Sequence, residues 1–327
     1  LLLRDILRED PQVMAAAQTI AAAGPDVLLL TGFDFDHEGR ALAALTAMLA
    51  GMGAEYPHLF ARRPNSGMAT GLDMDGDGRR RGARDAQGYG RFAGQGGMAV
   101  LSKFPIRADQ ARDFSGFLWR DLPGADLPEI DGAPFPSVAA MAAQRLSSVA
   151  HWVVPVDVPG GATLPLLAFS ATPPVFDGFE DGNGRRNHDE AAFWLRHLAG
   201  DLAALGPDLG PPMGPVVLLG KINIDPALGE GRRDALSALL HHPRLRDPRP
   251  RGADGRDVTV DWPGDTDEDR AAGRQGPGDM RVSYVLPDRA LRVIDAGVFW
   301  PAPGQPLAET VARASAHRLV WVDVALP

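Results

Sequence analysis

The chain has 327 residues, 33 Lys+Arg against 42 Asp+Glu, a formal net charge of −9, and no cysteine. Zero cysteines exclude disulfides, thiolate metal sites and cysteine nucleophiles, and the acidic balance argues against general duplex DNA binding, which depends on Lys and Arg neutralising phosphates. Hydrophobic residues at 45% and charged residues at 23% fit a globular protein with a sizeable core, and 38 Gly with 29 Pro predict many loops.

The chain opens directly on Leu1 to Leu7, an amphipathic helix with no leading residues, so a segment upstream is expected to have been removed or left out. Asp10-Pro11 marks the start of a second helix that closes at Gly24-Pro25. Asp26 to Thr31 is short and uniformly apolar, as a buried strand is. A helix is expected from about Gly39 to Leu49. Further buried strands are expected at Met98–Ser102, Leu164–Phe169, Val216–Gly220, Arg281–Leu286 and Leu319–Val324, and a helix at Asp189–Leu205 capped near Asn187 or His188. Strands of this kind with covering helices predict an α/β sandwich. Three long loops, about 64–97, 116–136 and 244–277, are read as insertions in a single domain spanning 1–327. No apolar run approaches the roughly 18–20 residues of a membrane span. A signal peptide removed upstream would place the protein in the periplasm or outside the cell.

The most specific local pattern is Asp73-Met74-Asp75-Gly76-Asp77-Gly78. Alternate aspartates in a turn direct hard oxygens at one point, and Gly78 at the sixth position permits the sharp turn of a calcium loop. The twelfth position is Arg84 instead of Glu, so Asp85 or backbone oxygens would complete a structural Ca²⁺ shell. Arg79, Arg80 and Arg81 are read as balancing these aspartates. His151 is read as a packed residue, His241-His242 as a surface pair, and the basic run Arg244 to Arg251 as a charged loop.

Four segments in order resemble the endonuclease/exonuclease/phosphatase superfamily: Gly97-Met98-Ala99-Val100-Leu101-Ser102-Lys103-Phe104-Pro105-Ile106, Leu219-Gly220-Lys221-Ile222-Asn223, Ser283-Tyr284-Val285-Leu286, and Ser315-Ala316-His317-Arg318-Leu319-Val320. A closer resemblance, to an uncharacterised bacterial subgroup, rests on Arg63 to Gly67, Thr70 to Asp73, Asp85 to Phe92, Ala171 to Gly178 and Asn183 to Glu190. The resemblance implies a four-layer α/β sandwich of two mixed sheets flanked by helices, and metal-assisted hydrolysis of phosphate esters supported by Mg²⁺ or Mn²⁺.

Carried over position by position, the resemblance leaves Asn223 and His317 in register as catalytic residues. It puts Ser170, Lys221, Ser283 and Ala316 where the family has His, Asp, Asp and Asp, and Thr31-Gly32 where it has a metal-binding Glu. Relocated carboxylates could come from Asp34, Asp36, Asp225 and the loop of Asp73, Asp75, Asp77 and Asp85. Arg185, Arg186 and His188 are candidates to clamp a phosphate, with Lys221 and Ser170 beside it. Two functions follow: a metal-dependent phosphoesterase with a relocated site, or an inactive calcium-stabilised binding or scaffold protein. The substrate and the oligomeric state stay open.

Overall fold

The computed structural model describes residues 2–262 and 278–326, so part of the expected loop 244–277 lies outside the described residues. The chain begins with α1 (Leu2–Leu7), α2 (Pro11–Ala23), β1 (Val27–Phe33), α3 (Arg40–Gly51), β2 (His58–Phe60) and β3 (Gly97–Ser102). It continues with β4 (Arg112–Asp113), β5 (Glu129–Ile130), β6 (Ala133–Pro134), α4 (Val138–Ala143), β7 (Ala150–Asp157), β8 (Thr163–Ser170) and α5 (Gly182–Ala199). The last elements are β9 (Val217–Lys221), α6 (Asp234–Leu240), β10 (Ser283–Pro287), β11 (Arg292–Phe299), α7 (Ala308–Ala314) and β12 (Leu319–Ala325).

Helix α2 shows how local chemistry sets these ends. Asp10 accepts from the Gln12 N–H at 2.9 Å, Pro11 occupies the first turn where its missing N–H costs nothing, and Gly24 takes the left-handed stop at φ 59°. Helix α5 starts seven residues before the expected Asp189 and ends six before Leu205, after Asp181 in the left-handed region. The expected cap residues Asn187 and His188 are therefore inside the helix. The polar run from Gly182 to Asn187 hid its first turns, because those side chains serve buried hydrogen bonds.

The two-residue period of the strands builds the layers. In the five-stranded mixed sheet, order β10-β9-β8-β7-β4, only β8 and β9 run parallel. Trp152, Val154, Leu166, Ala168, Val217 and Leu219 point to one face, and Val153, Leu167, Phe169 and Leu218 to the other. The second face packs on Phe193, Trp194 and Leu198 of α5 and Leu236 and Leu239 of α6. The first face meets Met98 and Val100 of the antiparallel sheet β1-β3-β2, whose opposite side carries Ala99 and Leu101 against α1, α2 and α3. Helices, sheet, sheet and helices make the α/β sandwich. Full burial of each large side chain contributes about 1.5–3 kcal/mol, so these three interlocked cores hold the layers in register.

The hairpin β11-β12 belongs to the same layer as β1 and β3. Leu319 joins the core under α1 to α3, whereas Val324 and Leu326 join the core between the sheets. The loop from Pro64 to Gly97 holds bridges Ser66–Gly88 and Ala69–Ala86, and 116–136 holds the β5-β6 ribbon.

Candidate functional site at the end of β9

Register brings the substituted family positions together. Ser170 at the end of β8 pairs with Lys221 at the end of β9, and Lys221 pairs with Ser283 at the start of β10. The three stand in a row across adjacent strands, about 4.8 Å apart per strand. Alternation from Leu219 and Ala168 turns Lys221 and Ser170 toward the space between the sheets. Gly220 permits this packing: a Cβ there would lie 2.0 Å from the Phe169 carbonyl oxygen. Lys221, Ser283, Thr31 and His317 line one end of a cavity of about 900 Å³.

This end of the cavity is cationic. Among the described residues Lys221 makes no ion pair or side-chain hydrogen bond, and burial pushes its pKa below the usual lysine range. His317 is held down to about 4 by burial first and then by Lys221 and Arg318, so its imidazole is neutral near pH 7. Its Nδ1 is buried without a hydrogen-bond partner among the described residues, and Trp262 meets the ring edge-on at 5.6 Å. Thr259, which the sequence reading passed over, braces the row: its hydroxyl accepts the Val282 and Ser283 N–H groups at 2.9 and 3.1 Å.

The proposed replacement carboxylates are engaged elsewhere. Asp34 accepts the Gly96 N–H at 2.9 Å. Asp36 caps α3 by accepting from Arg40 and Ala41, both at 2.8 Å; burial alone would raise its pKa, but the backbone donors lower it. Asp225 ties its loop with one oxygen on the Ala227 and Leu228 N–H groups, both at 2.8 Å, and the other on Arg281 N–H at 2.7 Å. Asn223 sits at φ 62° and donates to the Ala171 carbonyl at 2.7 Å. The chain after Lys221 is thus clamped, and among the described residues none of these four side chains hydrogen-bonds to Ser170, Lys221 or Ser283.

Arg185, Arg186 and His188 do not form one clamp. Arg186 is buried and donates to the carbonyls of Leu146, Gln87, Arg145 and Ser147. Arg185 and Arg232 share Asp126, and His188 Nδ1 lies 2.9 Å from Asp189. Beneath them Glu190, fully buried, accepts from the Ser148 N–H and hydroxyl and the Thr172 N–H; burial pushes its pKa up to about 7 against the pull of Arg186 and these donors. Its place in the Asn183 to Glu190 motif was the sequence signal, but nothing there distinguished a structural carboxylate from a catalytic one. His151 is packed: Nδ1 meets the Ser147 hydroxyl at 2.6 Å, Nε2 meets the Glu190 carbonyl at 2.9 Å, and burial holds its pKa to about 4.

The acidic turn is a different kind of site. Carboxylate oxygens of Asp73, Asp75 and Asp85 lie within 4.8 Å of one another. Asp77 is outside this set and accepts the Arg79 N–H at 2.7 Å. Gly76 and Gly78 donate to Asp73, and Met74 and Gly82 donate to Asp85, which fixes both carboxylates. Burial and then the neighbouring Asp77, Asp85 and Asp73 charges raise the Asp75 pKa, against a backbone donor from Asp77. Converging oxygens under mutual repulsion fit a hard divalent cation, which would relieve that repulsion. The row at Lys221 does not fit one, because its central group is a cation. Arg79, Arg80 and Arg81 form no direct ion pair with these aspartates among the described residues.

A sequence profile described as the Endonuclease/Exonuclease/phosphatase family matches residues 3–317. No curated protein matches the chain. Among solved structures it is similar to an endonuclease/exonuclease/phosphatase from Beutenbergia cavernae DSM 12333, with TM-score 0.55 and 20% identity over 97% of this chain and 66% of that one. A family protein from Leptotrichia buccalis C-1013-b gives TM-score 0.51 and 15% identity over 96% and 93% of the two chains. The human Nocturnin catalytic domain with bound sulfate gives TM-score 0.51 and 12% identity over 97% and 87%. This chain spans less than two thirds of the length of the first, and likenesses at these identities speak to the fold alone. With the profile matching nearly the whole length, and the family's strand-end positions gathered in one row, the chain belongs to the endonuclease/exonuclease/phosphatase family.

Proposed function

We propose that this protein is a non-hydrolytic member of its family that binds a phosphate ester at the Lys221 row, with Ca²⁺ held separately by the Asp73 turn. The observation that carries this reading is Lys221, in register between Ser170 and Ser283, with His317 depressed by burial and then by the Lys221 charge, and no carboxylate ion-paired to Lys221 among the described residues. A lysine here supplies positive charge where the family chemistry uses a divalent ion, and two serine hydroxyls and an imidazole can hydrogen-bond an anion's oxygens. What the row lacks is a means of activating water: an imidazole with a pKa of about 4 is a weak general base at neutral pH. The relocated-site reading needs Asp34, Asp36 and Asp225 to converge as metal ligands, and among the described residues the convergent set of three is Asp73, Asp75 and Asp85.

The test is a hydrolysis assay of phosphomonoesters and phosphodiesters with Mg²⁺, Mn²⁺ or Ca²⁺, alongside calorimetric titration with inorganic phosphate. The expected result is no metal-dependent turnover, and phosphate binding that Lys221→Met weakens by about 10-fold or more. Metal-supported turnover by the unaltered chain would overturn the reading. Activity gained on combining Ser170→His, Lys221→Asp, Ser283→Asp and Ala316→Asp would support it.

A further inference from the structure

Two segments that the Lys221 row does not use, 67–71 and 85–91, border a second cavity of about 430 Å³ beside the acidic turn. Its floor is backbone. The bridges Ser66–Gly88 and Ala69–Ala86, with the Gly67 N–H donating to the Gly88 carbonyl at 2.9 Å, hold the two segments side by side. Gly67, at φ 71°, and Gly90 let them touch: a Cβ on Gly90 would lie 2.5 Å from the Gly67 nitrogen, and one on Gly67 would lie 1.8 Å from the Phe92 carbonyl oxygen. The floor is therefore fixed in place and bare of large side chains.

The walls are cationic. Arg80 and Arg81, where the chain leaves the acidic turn, and Arg91 line the same cavity, and all three residues are exposed. Among the described residues none of the three makes an ion pair or a side-chain hydrogen bond. Arginines that meet elsewhere are neutralised: Arg185 and Arg232 share Asp126, and Arg281 holds Asp247. Asp85 also lines the cavity, but its carboxylate accepts the Met74 N–H at 2.9 Å and the Gly82 N–H at 2.6 Å and converges with Asp73 and Asp75. Three like charges around one cavity repel one another, and an anion between them reverses the sign of that interaction.

We propose that this cavity binds the phosphate group of a small soluble phosphomonoester, independently of the Lys221 row, and that Ca²⁺ in the turn strengthens the binding. A guanidinium donates paired N–H···O bonds. Three of them, reaching the cavity from separate points of the chain, match the three terminal oxygens of a tetrahedral phosphate better than the two of a planar carboxylate. The cavity is larger than one phosphate group, which leaves the esterified part room against the glycine floor. The calcium linkage rests on the reading of the Asp73 turn as a cation site. Three converging carboxylates repel a neighbouring anion, and a divalent cation among them cancels two of their charges, so phosphate and calcium each raise the affinity for the other.

Calorimetric titration of the full chain carrying Lys221→Met, first with inorganic phosphate and then with glycerol phosphate, separates this cavity from the row. One phosphate is expected to bind per chain, and Arg81→Gln and Arg91→Gln are each expected to weaken it about 10-fold or more at an unchanged melting temperature. Calcium, kept below the concentration that precipitates phosphate, is expected to tighten it about 5-fold or more, and Asp75→Asn to remove that gain. Acetate is expected not to bind. No phosphate binding by the Lys221→Met chain, binding untouched by both arginine substitutions, or equal binding of acetate would each overturn the assignment of the cavity. Binding that the arginine substitutions remove but calcium does not alter would uphold the cavity and overturn its link to the turn. A single phosphate on the unaltered chain that Lys221→Met leaves in place would support the cavity and count against the row.

Discussion

The Asp73 turn and the Lys221 row are both built by fixing short polar side chains at the edge of an apolar scaffold, yet they come out with opposite charge. In the turn, backbone N–H groups from Met74, Gly76, Gly78 and Gly82 hold two carboxylates close to a third. In the row, strand register fixes a lysine between two serines with a neutral histidine nearby. Holding a side chain at a family's strand-end position does not fix its charge. On the proposed function, the sign of the side chains gathered at each place selects a cation at the turn and an anion at the row.

The largest effect that separates the two regions is expected from Asp85→Ala. Asp85 is buried and accepts two backbone N–H groups, so its loss leaves them unpaired at a cost of about 2–3 kcal/mol in metal-free denaturant unfolding. It should also remove the calcium response, which for the unaltered chain at a hundred times Kd amounts to about 2.7 kcal/mol. A calcium-dependent shift in melting temperature that survives Asp85→Ala and Asp75→Asn would break the assignment of that turn.

Lys221→Met should act in the opposite direction. Replacing a desolvated ammonium that has no counter-charge among the described residues by an apolar chain of similar length is expected to stabilise the protein by about 1 kcal/mol, with the calcium response unchanged. Loss of stability, or loss of the calcium response, would mean that Lys221 has a partner or that the two regions communicate.

The smallest effect is a titration. His317 has a folded pKa of about 4 against 6.5 unfolded, so above pH 6.5 it does not affect the balance. As the pH falls from 6.5 toward 4 the unfolded chain takes up a proton that the native state refuses, and stability is lost. Removing one of the charges that depress it, through Lys221→Met, should raise the His317 pKa by less than about one unit in an NMR titration and narrow that window. An unchanged or lowered value would contradict the proximity of the two side chains.

The apolar strands at Val27, Met98, Leu164, Val217 and Leu319 were legible because a strand covered on both faces leaves a run of hydrophobic residues. Strand β7 was not, although it lies inside the mixed sheet: His151 and Pro155 interrupt its run, and the polar partners that make His151 tolerable come from Ser147 and Glu190. Two of the ordered motifs, at Lys221 and Ser283, end on adjacent strands of the row. Their sequence could not tell that Asp34, Asp36 and Asp225 accept backbone N–H groups without joining a convergent set among the described residues, because a cap and a metal ligand use the same residue types. Of the turn's four expected aspartates, Asp73, Asp75 and Asp85 converge and Asp77 does not, which only three-dimensional closure shows.

Anomalous diffraction from crystals grown with Mn²⁺ would show whether divalent cations bind the turn and not the row. A manganese peak is expected among Asp73, Asp75 and Asp85, and none within coordination distance of Lys221, Asn223 or His317. A peak at the row, with or without one at the turn, would contradict this assignment.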